Sequence, residues 1–236
     1  MSFTQDVESP NVIEAEVIFP PSEIESNEPP LESDLHRDQI DLLISLLRWW
    51  WQKRQDFYVS GNLTIYYSPE QRKSEDFRGP DFFVVLNTEN KPRKSWVVWE
   101  EHGKYPNVII ELLSNSTAKT DRGLKKEIYQ DIFRTPEYFW FDPESLEFKG
   151  FELLRGTYRE LQVNEQGLIW SEQLELNLGI HEGKLRFFTR EGQLVATPEE
   201  VAIAQRERAE QEQQRANQAE ALLAKYRERF GQFREE

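Results

Sequence analysis

The stretch NVIIELLSNS, Asn107 to Ser116, constrains the fold most strongly. Val108-Ile109-Ile110 and Leu112-Leu113 form an apolar run of the length and composition of a buried strand. Glu111 interrupts it. An unpaired buried carboxylate costs several kcal/mol or more, so Glu111 requires a cation, a metal ion or an exposed sheet face.

A chain of 236 residues accommodates one sizeable core with tails. No apolar run is long enough for a transmembrane helix, so no membrane partner is expected. The first residues, MSFTQDVESP, have neither the basic nor the apolar segment of a signal peptide. The absence of cysteine excludes disulfides and thiolate zinc sites. Cytoplasmic residence is the default expectation.

The net charge of -14 is unevenly placed. Residues 1–35 hold nine acids and no Lys or Arg, whereas residues 36–197 hold 25 acids against 22 bases. The folded part is therefore nearly balanced, without the strongly basic footprint of many nucleic-acid binders.

Three segments are expected: an acidic, Pro- and Ser-rich disordered leader over 1–34, a domain over 35–195, and a C-terminal helix over 196–236. ESDLHRDQIDLLISLLRWWW reads as an amphipathic helix capped by Ser33 or Asp34, with Leu35, Leu42, Leu43, Leu46, Leu47 and Trp50 at helical spacing. Strand patterns follow in FYVSGNLTIYY, PDFFVVLN, NVIIELL and PEYFWFDP, with a helix candidate from Ser116 to Arg134. Hairpin-like segments occupy FKGFELLRGTYRELQV and GLIWSEQLELNLGIHEGKLRFF. This order predicts an α/β fold, a mixed β-sheet flanked by helices. The terminal helix, N-capped by Thr197, carries a thin Ala-rich stripe through Val201, Ala209, Ala216, Ala219, Leu223, Tyr226 and Phe230. Either it is solvated or packed on its own domain, or it forms a coiled coil in a homo-oligomer such as a dimer.

Asp81 opens one strand and Glu111 lies inside the next. Two carboxylates from adjacent strands, with no thiolate nearby, suit a hard cation such as Mg²⁺ or Mn²⁺. A carboxylate paired with Arg is the structural alternative. On a helical wheel with Leu124 at zero, Ile128, Ile132, Tyr129 and Phe133 fall at roughly 40°, 80°, 140° and 180°. Lys125, at about 100°, points into this apolar arc, and Lys126, at about 200°, lies at its edge as a solvated residue. Asp121 is a helix cap or an i to i+4 partner of Lys125. Ser114 has no evident base, since His36, His102 and His181 lie elsewhere in the pattern.

Pro80-Asp81, Glu111, Asp121, Lys125 and Tyr129, in that order, resemble the PD-(D/E)xK nuclease superfamily. More narrowly, they resemble its Uma-two-type restriction endonuclease family. The matching blocks are GPDFFVV, VIIELLSNST, DRGLKKEIYQ and PEYFWFDP, between His36 and Pro143. The resemblance implies a restriction-endonuclease-like sheet of about four core strands and Mg²⁺-dependent phosphodiester cleavage, with Mn²⁺ as a substitute and DNA as the partner, RNA remaining open. It makes Asp81, Glu111 and Lys125 catalytic, and Asp81, Glu111 and the carbonyl of Leu112 metal ligands. The usual lysine position, two residues after the Glu, is Leu113 here; the Uma-two pattern places its lysine on the next helix, at Lys125. The acid often found near the first helix matches Glu32, Asp34 or Asp38, without a specific motif. His36 matches a histidine at that helix start.

The competing expectation is a non-catalytic assembly module with the same fold, oligomerising through the terminal helix. A glycosidase needs two carboxylates across a sugar cleft and gives Lys125 no part.

Overall fold

The computed structural model describes residues 33–68, 77–114 and 121–231. Residues 1–32 of the expected leader, including Glu32, most of the loop after Tyr67, residues 115–120 at the start of the expected crossover helix, and residues 232–236 lie outside the described residues.

Helix α1 (Asp34–Trp50) opens the described chain. Ser33 caps it by accepting a hydrogen bond from the His36 amide, which satisfies one of the free donors of the first turn. Its buried residues are Gln39, Ile40, Leu43, Leu46 and Leu47. Leu35 and Trp50, counted in the expected stripe, are exposed, and Trp51 is buried instead.

The principal sheet contains β1 (Phe57–Ser60), β4 (Phe82–Leu86), β6 (Val108–Leu112), β7 (Glu137–Phe141), β8 (Phe148–Leu154) and β9 (Thr157–Glu160). They lie in the order β1-β4-β6-β7-β8-β9. All neighbours are antiparallel except β6 and β7. A parallel pair needs a crossover, and here it contains a π-helical turn (Asp121–Lys125) running into α2 (Lys126–Asp131). A small sheet joins β2 (Ile65–Tyr66), β3 (Phe77–Arg78) and β5 (Trp96–Val97). The β5 strand lies within a stretch that reads as a charged loop.

Both faces of the central strands are covered, which is why they read as continuous apolar runs. Phe82, Val84, Val108, Ile110, Leu112, Phe139 and Phe141 pack with α1 and a second antiparallel sheet. That sheet is β10 (Ile169–Ser171), β11 (Leu176–His181) and β12 (Lys184–Phe188). Phe83, Val85, Ile109, Leu113, Tyr138 and Trp140 form the other face, against Ile128, Tyr129 and Phe133. Buried Gln39 ties α1 to β12 by exchanging two hydrogen bonds with the Leu185 backbone, at 2.9 and 3.0 Å. Glu137, also buried, accepts from the Ser171 hydroxyl and from the Glu172 and Gln173 amides, joining the two sheets.

The expected mixed sheet, flanking helices, C-terminal hairpins and long terminal helix are all present. The sheet has six strands where the resemblance implied about four. Helix α3 (Pro198–Phe230) begins with a capping box between Thr197 and Glu200. Arg186 holds this end through two bonds to Glu200, at 2.9 and 2.7 Å. From Ala202 to Arg229 the helix is exposed on every face. Among the described residues, no helix is long and apolar enough to cross a membrane.

Candidate active site

The β4–β6 ladder pairs Phe82 with Ile110. Continued by one residue, the same antiparallel register sets Asp81 opposite Glu111. Cross-strand neighbours project to the same face, so both carboxylates lie on the α2 side of the sheet. They are also tied through the backbone. The Leu112 amide donates to Asp81 Oδ2 at 2.7 Å, and the Asp81 amide donates to Glu111 Oε2 at 3.4 Å.

The next helical segment completes the surroundings of Glu111. Lys125 Nζ lies 3.2 Å from Glu111 Oε2. The Tyr129 hydroxyl donates to Oε1 at 2.6 Å. Lys125 and Tyr129 are four residues apart, so one turn of the helical segment presents both. The partner that a buried carboxylate requires is thus a lysine and a tyrosine, not an arginine. Glu111 has no solvent exposure. Burial pushes its pKa up to about 7; Lys125 and the Tyr129 hydrogen bond pull it down, and Asp81 adds to the rise.

Sequence reasoning placed Tyr129 on the apolar arc and in the family resemblance but gave it no role in the site. Its signal was available: a buried tyrosine hydroxyl requires a partner, and Tyr129 follows Lys125 by one helical turn. The wheel also misplaces two residues, because Leu124 and Ile132 are exposed while Ile128, Tyr129 and Phe133 are buried. The π-helical turn over Asp121–Lys125 closes i to i+5. Leu124 lies within that turn, where the α-helical angle does not hold, and Ile132 is the C-cap residue just past α2.

Lys126, at the edge of the arc, is partly solvated and rests against aromatic rings. Its ammonium lies 3.4 Å from the Phe151 ring centroid and 5.4 Å from that of Trp140. Burial there lowers its pKa.

Leu112 has its side chain in the α1-side core, leaving only its backbone to face the carboxylates. Asp34 and Asp38 pair with Arg37 at 3.0 and 3.7 Å on the exposed start of α1. Helix α1 covers the face opposite Glu111, so neither joins the carboxylate pair. His36 Nδ1 bonds the Ser33 hydroxyl at 2.8 Å, a helix-start contact. The Asp121 side chain lies outside the described residues. Among the described residues, no three His, Cys, Asp or Glu side chains are grouped to hold a metal ion. Mg²⁺ is commonly held by one or two carboxylates, water and substrate phosphate, so the Asp81–Glu111 pair is a chemically suitable donor set.

The site is thus a pair of carboxylates on adjacent strands, with a lysine brought in by the following helical segment. The family described as "Uma2: Putative restriction endonuclease" matches residues 22–187, and the chain belongs to it. The match starts within the segment read as a leader. No curated protein matches the sequence. A solved structure similar to this chain comes from Anabaena variabilis ATCC 29413 and is described as "a putative nuclease belonging to DUF820". The likeness has 14% identity and a TM-score of 0.48, and covers 64% of this chain and 80% of that one.

Proposed function

We propose that this protein is a metal-dependent endonuclease that hydrolyses phosphodiester bonds in DNA. The observation that supports it most is the Asp81–Glu111 cross-strand pair with the Lys125 ammonium 3.2 Å from Glu111. Membership in a family described as restriction endonucleases points the same way.

In this reading Asp81 and Glu111 would hold Mg²⁺, or Mn²⁺ in its place, with the carbonyl of Leu112 as a further ligand. The bound ion supplies Lewis-acid polarisation of the phosphate and a lowered pKa for water. Tyr129 and Lys125 hold the Glu111 carboxylate in one orientation, keeping it available although buried. Lys125 then donates to the attacking water or to a phosphate oxygen, where it offsets developing negative charge. Neutralisation of Glu111 by burial opposes metal binding, and Lys125 and Tyr129 counter that neutralisation.

Purified full-length protein with Mg²⁺ or Mn²⁺ is expected to nick supercoiled DNA. Asp81→Ala, Glu111→Ala and Lys125→Ala should each abolish nicking while the proteins remain folded. Undiminished activity in all three would overturn the assignment. A parallel RNA substrate decides between the two nucleic acids.

The exposed α3 favours a second element of the reading, self-association. Leu222, Leu223 and Tyr226 are each about half exposed on it, at 56%, 49% and 54%. A coiled-coil homodimer would cover them. Sedimentation of the full chain and of a chain ending at Thr197 tests this; a monomeric full chain would exclude it.

A further inference from the structure

The register that sets Asp81 against Glu111 continues across the sheet. Glu111 pairs with Trp140 on β7, and Trp140 pairs with Lys149 on β8. Asp81, Glu111, Trp140 and Lys149 therefore form one row on the α2-facing side, two carboxylates at one end and a cation at the other. Above this row, Lys125 reaches the carboxylate end. Lys126, the next residue, covers the aromatic middle at Trp140 and Phe151.

The three lysines have different occupations. Lys125 is engaged with Glu111. Lys149 is paired with Glu160 at 3.2 Å. Lys126 rests on ring faces and feels the Glu160 carboxylate only at longer range, because Glu160 is ion-paired with Lys149. A cation–π contact fixes an ammonium in place, yet leaves donors that a ring cannot satisfy, because a lysine carries three. The one carboxylate that acts on this ammonium, Glu160, is shared with Lys149, so Lys126 keeps donors for a further anion, and it lies beside a candidate phosphodiester site. Consecutive Cα atoms are about 3.8 Å apart and diverge by about 100° around an α-helix. Lys125 and Lys126 can thus address different groups of one extended polyanion.

We infer that Lys126, steadied on Trp140 and Phe151, binds the phosphate next to the scissile one, so that the substrate strand runs along the row from Asp81 towards Lys149. This inference rests on the nuclease reading and deepens it by giving the strand a direction across the sheet. Lys126 is a substrate-binding residue here, distinct from Lys125, which serves the reacting group.

Binding of a fluorescein-labelled single-stranded oligodeoxynucleotide to the full chain, followed by anisotropy over a series of KCl concentrations, tests it. The series is run in Ca²⁺ and in chelator. For a lost phosphate contact on a single strand, the slope of log K against log salt falls by about 0.7. Lys126→Gln is expected to show this reduced slope and weaker binding, and Lys126→Arg to retain the wild-type slope. Lysine acylation of the wild-type protein gives a second readout that needs no variant: bound oligonucleotide should protect Lys126. An unchanged slope in a folded Lys126→Gln protein, or equal acylation of Lys126 with and without the oligonucleotide, overturns this inference alone. If Lys126→Gln does not fold, the protection measurement decides. Failure of the wild type to bind in either buffer overturns the nuclease reading together with it.

Discussion

Asp81 and Glu111 face each other across β4 and β6, and each is bonded to the other's strand. The Leu112 amide donates to Asp81 at 2.7 Å and the Asp81 amide donates to Glu111 at 3.4 Å. The position of each carboxylate is therefore a property of the sheet register, and changes that move the strand ends should be felt at the pair.

Gly61 is the nearest such point. A Cβ there would lie 2.4 Å from the Asp81 carbonyl oxygen and 2.4 Å from Ile40 Cγ2. The Asn62 amide also bonds the Pro80 and Asp81 carbonyls, at 3.0 and 3.3 Å. Gly61→Ala should destabilise the fold by about 1–3 kcal/mol through overpacking, read by urea denaturation. In the proposed nuclease it should also reduce nicking, although Gly61 is not itself a site residue.

Removing the Tyr129 hydroxyl leaves Glu111 Oε1 short of its donor in a fully buried setting. Tyr129→Phe should lower stability by about 1–3 kcal/mol. The Glu111 pKa should rise further, because this hydrogen bond lowers it. Urea denaturation reads the first effect, and carboxylate titration by NMR of isotope-labelled Glu reads the second.

The pH dependence follows from the same group. Glu111 titrates at about 7 in the folded protein against an ordinary 4.5. Between these values the folded state binds more protons than the unfolded state, so its stability falls as pH rises. In chelator, up to about 3 kcal/mol should be lost from this group between about pH 4.5 and 7. Glu111→Gln should remove that part of the slope; an identical pH profile in the variant would refute the attribution.

The anchoring of α3 gives a prediction away from the site. Arg186 has a side chain only 5% exposed, and Glu200 supplies two of its hydrogen bonds. Glu200 also closes the capping box with Thr197. Glu200→Ala should cost about 2 kcal/mol by leaving the buried guanidinium under-bonded. Differential scanning calorimetry of the two proteins checks the loss.

The strands were legible because they are buried on both faces and so leave apolar runs, broken only by Glu111 in Val108 to Leu113 and continuous in Tyr138 to Phe141. Asp81 and Glu111 stood out as carboxylates at the edge or centre of such runs, and Lys125 as a cation among Ile128, Tyr129 and Phe133. The β5 strand was not legible, because the short apolar run Trp96 to Trp99 is flanked on both sides by charged residues and its two strand residues carry no period. Glu137 was not legible either. It opens its strand and is buried like Glu111, but its donors come from Ser171, Glu172 and Gln173, more than thirty positions away. No local pattern separates a glutamate that stitches two sheets from one that faces a carboxylate and a lysine.

The sequence by itself determined which segments are strands and helices, and which charged residues are out of place in them. Periodicity and burial cost act over a few neighbouring residues, and both can be read there. Only the tertiary structure decided which of those charges meet. The β4–β6 register set Asp81 opposite Glu111. Packing of the crossover segment on the sheet brought Lys125 and Tyr129 to one carboxylate and set Lys126 against Phe151 and Trp140. The same packing put α1 on the far face, away from the carboxylate pair. Those outcomes depend on pairings between residues distant along the chain, and their energies exist only once the sheet has closed.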